Sequence, residues 1–415
     1  MQRAWNHVYL RHACRSSVFL RGLSASYSTT RTTAWVLTNG GIEPTLSALA
    51  IAKRLDPGCK VKRLVGSKAL ATFPAIVQKY MVEWSAQRWQ PESKLPWYLS
   101  SPEGDTLDEP TFPDFVVCTS PDAIAACLTT TQTSKNTFSV YAGFPNIPFI
   151  NFGQVVLPKY EANTKMAKLG PYAMQKNLLL TQAPLVDITP PALHNSSLPE
   201  NIPNALHQTE DMTTVVVGGH SPFCRWYSED AKLLVDNIKR MVYNIQGKVL
   251  VIFTERTTDQ VKKIIRDGCR DMENAVGIWD SMVDCNNSLE RAEMYRGIVD
   301  RSARVVLTAD MDYASAHAAA NRKPVYVVFG DRCRSYLLHF HRWAREQRIT
   351  RKLRLDRSRG ASRHAQYSDP YSYVGNHGAW ADGRKVLQAK PSLEYIVNEL
   401  LEIREEAMTG KRRNE

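Results

Sequence analysis

Before Glu43 this 415-residue chain has no acidic side chain. Nowhere does an apolar run approach the roughly 18 residues that mark a membrane-spanning helix. The longest runs, such as 249–253, have the length of buried strands. No two of the eight cysteines stand in C-x-x-C spacing, so their scatter reads as reduced thiols rather than a secreted disulfide framework. Cys118 and Cys127 sit among apolar residues and are expected as small core residues. There is no Walker loop, nucleophile elbow or zinc motif. These absences argue against a helical membrane span and remove the commonest motif-level signs of P-loop, α/β-hydrolase and zinc chemistry.

What is present fits a globular protein with room for two cores: 43% apolar and 23% charged residues. The net charge of +12 hints at an acidic partner and is unevenly spread. Nine Lys/Arg fall within 342–363. At the other end, Arg3, Arg11, Arg15, Arg21 and Arg31 accompany serine and threonine crowded over 24–33. Wound as a helix, Arg3, His7, Arg11 and Arg15 form one basic stripe, with Trp5, Tyr9, Ala13 and Leu20 opposite. Arg-rich, Ser-rich and acid-poor is the composition of a mitochondrial presequence, here residues 1–30. Arg21-Gly22-Leu23-Ser24 resembles the cleavage site of matrix processing proteases. A basic tail without an address is the alternative.

Two α/β halves follow. The first, 31–190, opens with a strand at 34–38 and the turn Asn39-Gly40-Gly41, then a helix from Pro44. Further strands are expected at 61–65, 115–118, 138–141, 154–157 and 177–180, and a helix from Pro121 to Leu128. Residues 90–113, rich in Pro, Ser and acidic residues, read as a long surface insertion. A proline-rich linker spans 191–211. The second half, 212–350, is expected to carry strands at 214–217, 249–253, 276–279, 304–307 and 325–329. Helical patterns cover 228–243 and 258–267, the second stopping at Gly268. Strands alternating with helices imply parallel sheets in two nucleotide-type domains facing a cleft. Residues 351–391 read as a basic loop region, and 392–410 as a terminal helix.

The second half carries a family resemblance. Val215-Val216-Val217-Gly218-Gly219 with Cys224-Arg225, then Thr308-Ala309-Asp310, then Lys323-Pro324-Val325-Tyr326-Val327, resembles in order and spacing the fission proteins of the plant elongated-mitochondria type. The likeness extends more weakly over most of 34–350. It implies a GT-B glycosyltransferase-like fold, two Rossmann-like domains around a cleft. It also implies a role in mitochondrial fission, in which the plant members help recruit a dynamin-like GTPase.

The candidate site residues follow. Gly218-Gly219-His220-Ser221 joins a strand to a helix, where small residues let backbone N–H groups approach a phosphate. An ordinary tight connection needs the same residues. Arg256, just past a strand end, is a candidate anion clamp, or else a solvated arginine. Asp310-Met311-Asp312 would suit a divalent ion held with a diphosphate, but aspartates before a helix more simply cap its free N–H groups. No metal is therefore expected. His339 and His341 point about 200° apart on a helix and cannot share an ion easily. His317 takes the place where GT-B enzymes bind the donor ribose with an acid, and a neutral imidazole lacks a carboxylate's two acceptors. Met311, Tyr313, Arg322, Leu46-Ser47 and Thr119-Ser120 also depart from the family pattern.

Two functions compete. The first is a non-catalytic fission or morphology adaptor on a GT-B-like scaffold. The second is a metal-independent, inverting glycosyltransferase or sugar-nucleotide-binding protein taking a nucleoside diphosphate or nucleotide sugar. The basic run 342–363 would meet acidic lipid, RNA or protein, or simply form a solvated face. A cleaved presequence implies the matrix, whereas dynamin-type fission implies the outer surface, so both cannot hold as in plants.

Overall fold

The structure, a computed structural model, describes residues 32–89, 95–166, 176–189, 198–353, 371, 379–389 and 391–410. The expected presequence therefore lies outside the described residues, as do most of the basic loop region and part of the linker.

In chain order the first half contains β1 (Ala34–Thr38), α1 (Ile42–Leu55), β2 (Lys60–Arg63), α2 (Ala75–Ala86), β3 (Phe115–Cys118), α3 (Ile124–Thr133), β4 (Phe138–Ala142), β5 (Gln154–Pro158), α4 (Lys159–Lys165) and β6 (Leu178–Thr181). The second contains β7 (Met212–Val217), α5 (Ser228–Tyr243), β8 (Lys248–Phe253), α6 (Asp259–Cys269), β9 (Val276–Asp280), α7 (Ser288–Arg301), β10 (Arg304–Thr308), α8 (Asp312–Ala320), β11 (Val325–Val328), α9 (Ser335–Glu346) and β12 (Arg351–Lys352), followed by α10 (Leu393–Thr409).

Each half builds one six-stranded, wholly parallel sheet. The first runs β2-β1-β3-β4-β5-β6 and the second β9-β8-β7-β10-β11-β12. The second is the Rossmann order, and its direction reverses between β7 and β10. In the first the reversal lies between β1 and β3. Val36 sits in register between Val61 and Val117, and Val216 between Ile252 and Leu307. These are short apolar runs because both sheet faces are covered. Along β1, Ala34 and Val36 join the cluster under α1, whereas Trp35 and Leu37 join the one under α2 and α3, the period of two that a strand imposes. The cluster under α1 continues without a break into the second half.

Several local expectations are modified. α1 begins at Ile42, before Pro44, because a carboxylate from the other half takes the Ile42 N–H. Gly268 does not end α6; it lies inside the helix, where a Cβ would stand 2.5 Å from Val235 Cγ1 of α5. The described part of the 90–113 insertion is not a loose surface loop. Tyr98 and Leu107 are buried, Glu109 pairs with Lys60 and Lys62, and Glu103 pairs with Arg63 and reaches Ser288 and Arg291 across the cleft. Residues 198–211 include a short helix (Asn204–His207); its Leu206 and the preceding Leu198 and Ile202 are core. α10 is capped by Ser392 and ended by Gly410 in the left-handed region at φ 66°. It packs back on α1, and its Arg404 pairs with Asp114 of the first half. Among the described residues no helix is long and apolar enough to cross a membrane.

Candidate functional site

The strands of both sheets end at the cleft, where an α/β fold places its ligands. Each sequence candidate can now be placed. β7 runs into Gly218-Gly219. The Gly218 N–H donates to Thr308 Oγ1 at 2.8 Å, and the Gly219 N–H donates to Asp310 Oδ2 at 2.9 Å. A Cβ on Gly218 would stand 2.0 Å from that carboxylate, and one on Gly219 1.9 Å from the Arg256 carbonyl oxygen. The glycines are required by the close approach of the protein's own groups, and their N–H donors are already used. His220 is exposed and tilts against Tyr227. The Ser221 hydroxyl accepts from the Cys224 N–H at 3.0 Å, closing its own turn.

Asp310 is buried behind this loop. It accepts from Gly219 N–H and from Trp226 Nε1–H at 3.1 Å, and it pairs with Arg256 at 3.3 Å. It does not cap α8, whose N-cap position is Met311 with no side-chain bond. Asp312 does not cap either; it is the first helical residue and accepts from Tyr160 OH at 2.9 Å. The sequence signal for capping was correct about helix position, but the two carboxylates are drawn away by longer-range donors. Among the described residues no group of three or more His, Cys, Asp or Glu is placed to hold a metal ion.

Arg256 is a clamp, but its anions are internal. Its Nη2 donates to Glu43 Oε2 at 2.5 Å, and its Nη1 to the Asp310 carbonyl at 3.2 Å. Burial opposes its charge, yet Glu43 and Asp310 outweigh burial and raise its pKa. Glu43, in the first turn of α1, also accepts the Ala314 N–H of α8 at 2.8 Å. Reciprocally, Glu255 of the second half accepts the Ile42 N–H of α1 at 3.2 Å. Each half thus sends a carboxylate to the helix N-terminus of the other, the positions that would favour a phosphate. Burial pushes Glu43 up to about 8, Asp312 and Asp310 add to it, and Arg256 opposes it.

His317 does not face the cleft. It is enclosed between α7 and α8 with its ring 5.7 Å from Tyr295, and burial, then Arg296, push it down to about 3. Three other departures from the family pattern, Tyr313, Leu46 and Thr119, have structural partners. Tyr313 OH donates to the Leu46 carbonyl at 3.1 Å across the cleft, and Thr119 Oγ1 to the Pro44 carbonyl at 2.8 Å. His339 is exposed, whereas His341 is buried on the Ala309 carbonyl at 2.6 Å, so the two do separate. Arg342, Arg345 and Arg348 of the basic run are exposed; 354–363 lie outside the described residues.

Between the halves a cavity of about 440 Å³ remains. Gly218, Gly219, His220, Ser221, Asp310 and His317 do not line it; Arg256 does. Its walls carry Glu43, Asp122, Glu161, Glu255 and Asp312 against Arg256 and Lys165. Arg256 is paired as above, and Lys165 pairs with Glu161 while lying 4.5 Å over the Tyr336 ring. An anionic ligand would meet an acidic wall and no unengaged cation among these lining residues. Sequence reasoning missed Glu43, Glu255, Trp226, Glu103 and Arg291. The last is fully buried and donates to the Gly40 carbonyl across the cleft. Glu43 carried one faint signal, as the first acid of the chain directly after a glycine turn.

Two parallel six-stranded Rossmann-like sheets, ending at one cleft and linked by a last helix returned to the first half, define a GT-B-like protein. The chain belongs to the mitochondrial fission ELM1 family, whose pattern matches residues 45–373. It is 25% identical over 231 residues to the mitochondrial fission protein ELM1 of Arabidopsis thaliana. That match covers 52% of each chain, so it spans about half the length of this curated relative. Among solved structures, it is similar to the UDP-GlcNAc 2-epimerase of Neisseria meningitidis bound to UDP-GlcNAc, at 11% identity and a TM-score of 0.45, over 89% of this chain and all of that one. It is also similar to the S. aureus MnaA–UDP complex, at 9% identity and a TM-score of 0.44, over 79% and 85% of the two chains.

Proposed function

We propose that this protein is a mitochondrial fission or morphology factor acting as a non-catalytic adaptor on a GT-B-like scaffold. The observation that carries the reading is the occupation of the anion-favouring backbone donors by the protein's own carboxylates: Asp310 on Gly219, Glu43 on Ala314 and Glu255 on Ile42. A nucleoside diphosphate would have to displace these buried or half-buried acids and leave the Arg256 guanidinium without its internal partners, at a cost of several kcal/mol. The acidic cavity wall adds to that cost. The two halves, 31–190 and 212–350, then serve as one stitched platform rather than as jaws around a donor sugar.

The partner that the family role suggests is a dynamin-like fission GTPase, and the exposed arginines of 342–348 supply a positive face for an acidic surface. Mitochondrial association fits both the family and the leader, 1–30. Its side of the membrane decides the mechanism. Protease treatment of intact and outer-membrane-ruptured mitochondria, with sizing of the N-terminus, tests this directly. An uncleaved, accessible protein that captures a dynamin-like GTPase is expected. A cleaved, fully protected protein would sink the cytosolic adaptor. Calorimetric titration with UDP and UDP-GlcNAc is expected to give no saturable heat; saturable binding weakened by Arg256→Ala would restore the sugar-nucleotide reading.

A further inference from the structure

Cys224, in the loop after β7, and Cys333, in the loop after β11, face each other in an isolated antiparallel pair. The Arg225 N–H donates to the Arg332 carbonyl and the Arg334 N–H to the Phe223 carbonyl, so the hydrogen bonds flank the cysteines and do not join them. This is the narrow kind of antiparallel pair, with Cα atoms about 4.5 Å apart and side chains close. That spacing lies inside the disulfide range of about 4.4–6.8 Å. The two sulfurs are 3.3 Å apart although 109 residues separate them in sequence. Both thiols are free and buried, Cys224 completely and Cys333 with 6% of its surface exposed. The Cys224 thiol and His341 hold the Cys333 thiol down, to about 6, which favours the nucleophilic form.

We propose that Cys224 and Cys333 form a redox modification site, a dithiol that a hydroperoxide closes to a disulfide. Cys333, the residue of the pair with residual exposure, loses its proton to solvent and attacks the peroxide oxygen. The O–O bond breaks, the sulfur becomes a sulfenic acid, and the leaving hydroxide takes up a proton to depart as water. The Cys224 sulfur then gives up its proton and attacks the sulfenic sulfur, the S–S bond forms, and the S–O bond breaks with release of a second water. Two thiols lose two electrons in total, and the peroxide gains them. The bond staples the loop carrying Phe223 to the segment leading into α9. Phe223 stands against Tyr336 there, and Lys165 of the first half lies over both rings. Oxidation therefore fixes one wall of the cleft and constrains the unfolded chain.

The test uses the whole protein, purified reduced, exposed to hydrogen peroxide, blocked with iodoacetamide and digested without reductant. Mass spectrometry is expected to find the Cys224 and Cys333 peptides joined, lighter by two hydrogens than their sum, and both alkylated in a dithiothreitol-treated sample. The thermal midpoint is expected to rise on oxidation and to fall back on reduction, with no rise in Cys333→Ser. Both cysteines still alkylated after peroxide, either one over-oxidised without a cross-link, or either joined to a different cysteine would overturn the assignment. The peptide map needs only the unmutated protein, so a variant that fails to fold does not shelter the proposal.

Discussion

Glu43 and Arg256 stand 213 residues apart in sequence and 2.5 Å apart in space, one at the start of α1 and the other after β8. Around this pair the cleft is closed by internal bonds. Arg256 also holds Asp310, Glu43 also holds the N-terminus of α8, and Asp312 holds Tyr160 of the first half.

The pair makes stability fall as pH rises from about 4.5 to about 8. Glu43 is pushed up to about 8, from an ordinary 4.5, mainly by burial. A carboxyl whose folded pKa is raised contributes stability that is fully present below about 4.5 and lost as pH rises through about 8. Urea unfolding at pH 5, 7 and 9 is expected to show wild type losing about 2–4 kcal/mol relative to Glu43→Gln as pH rises, which separates this slope from the opposing one of His317. Glu43→Gln should flatten that slope, because glutamine keeps an acceptor for the Ala314 N–H and cannot ionise. An unchanged slope in the variant would show that Glu43 is not the titrating group.

Gly219→Ala places a methyl group 1.9 Å from the Arg256 carbonyl, a backbone atom that cannot swing aside. A loss of about 1–3 kcal/mol or more is expected from such overpacking. Gly330→Ala is the matched control: a Cβ there meets nothing within 4 Å, and its midpoint should hardly move. Equal effects at the two positions would contradict the packing described for the glycine loop.

His317 should dominate an acid-side loss. Burial holds it down to about 3, against an ordinary 6.5. Stability from the neutral ring is present above about 6.5 and is lost as pH falls toward 3, since the unfolded chain binds the proton first. His317→Leu, measured by thermal melts between pH 7 and 4, should lose less stability on acidification than wild type. If both proteins weaken in parallel, groups other than His317 carry the acid transition instead.

The strands were largely legible because β-branched runs bounded by turns need no partner to be seen. The strands at 34–38 and 115–118 fall where expected, and that at 249–253 begins one residue earlier, at Lys248. α7 was not legible. Arg291, Glu293 and Arg296 occupy buried positions on it, satisfied by Gly40, Lys53, Arg296 and Glu293 across or along the cleft, and they break the apolar period. Arg256 and Asp310 were singled out by their places after strand ends, but their partners were hidden. An arginine after a strand reads the same whether it waits for a phosphate or holds Glu43.

The sequence by itself determined the alternation of strand and helix, the two sheets and the family, because these rest on local periodicity and short motifs. Only the tertiary structure decided that the backbone donors around the cleft are taken by the protein's own acids and that His317 lies outside it. It also decided that Cys224 meets Cys333. The reason is physical: the free energy of a charged or thiol side chain depends on what stands within a few ångströms of it, and here those neighbours include residues 54 to 271 positions away in the chain.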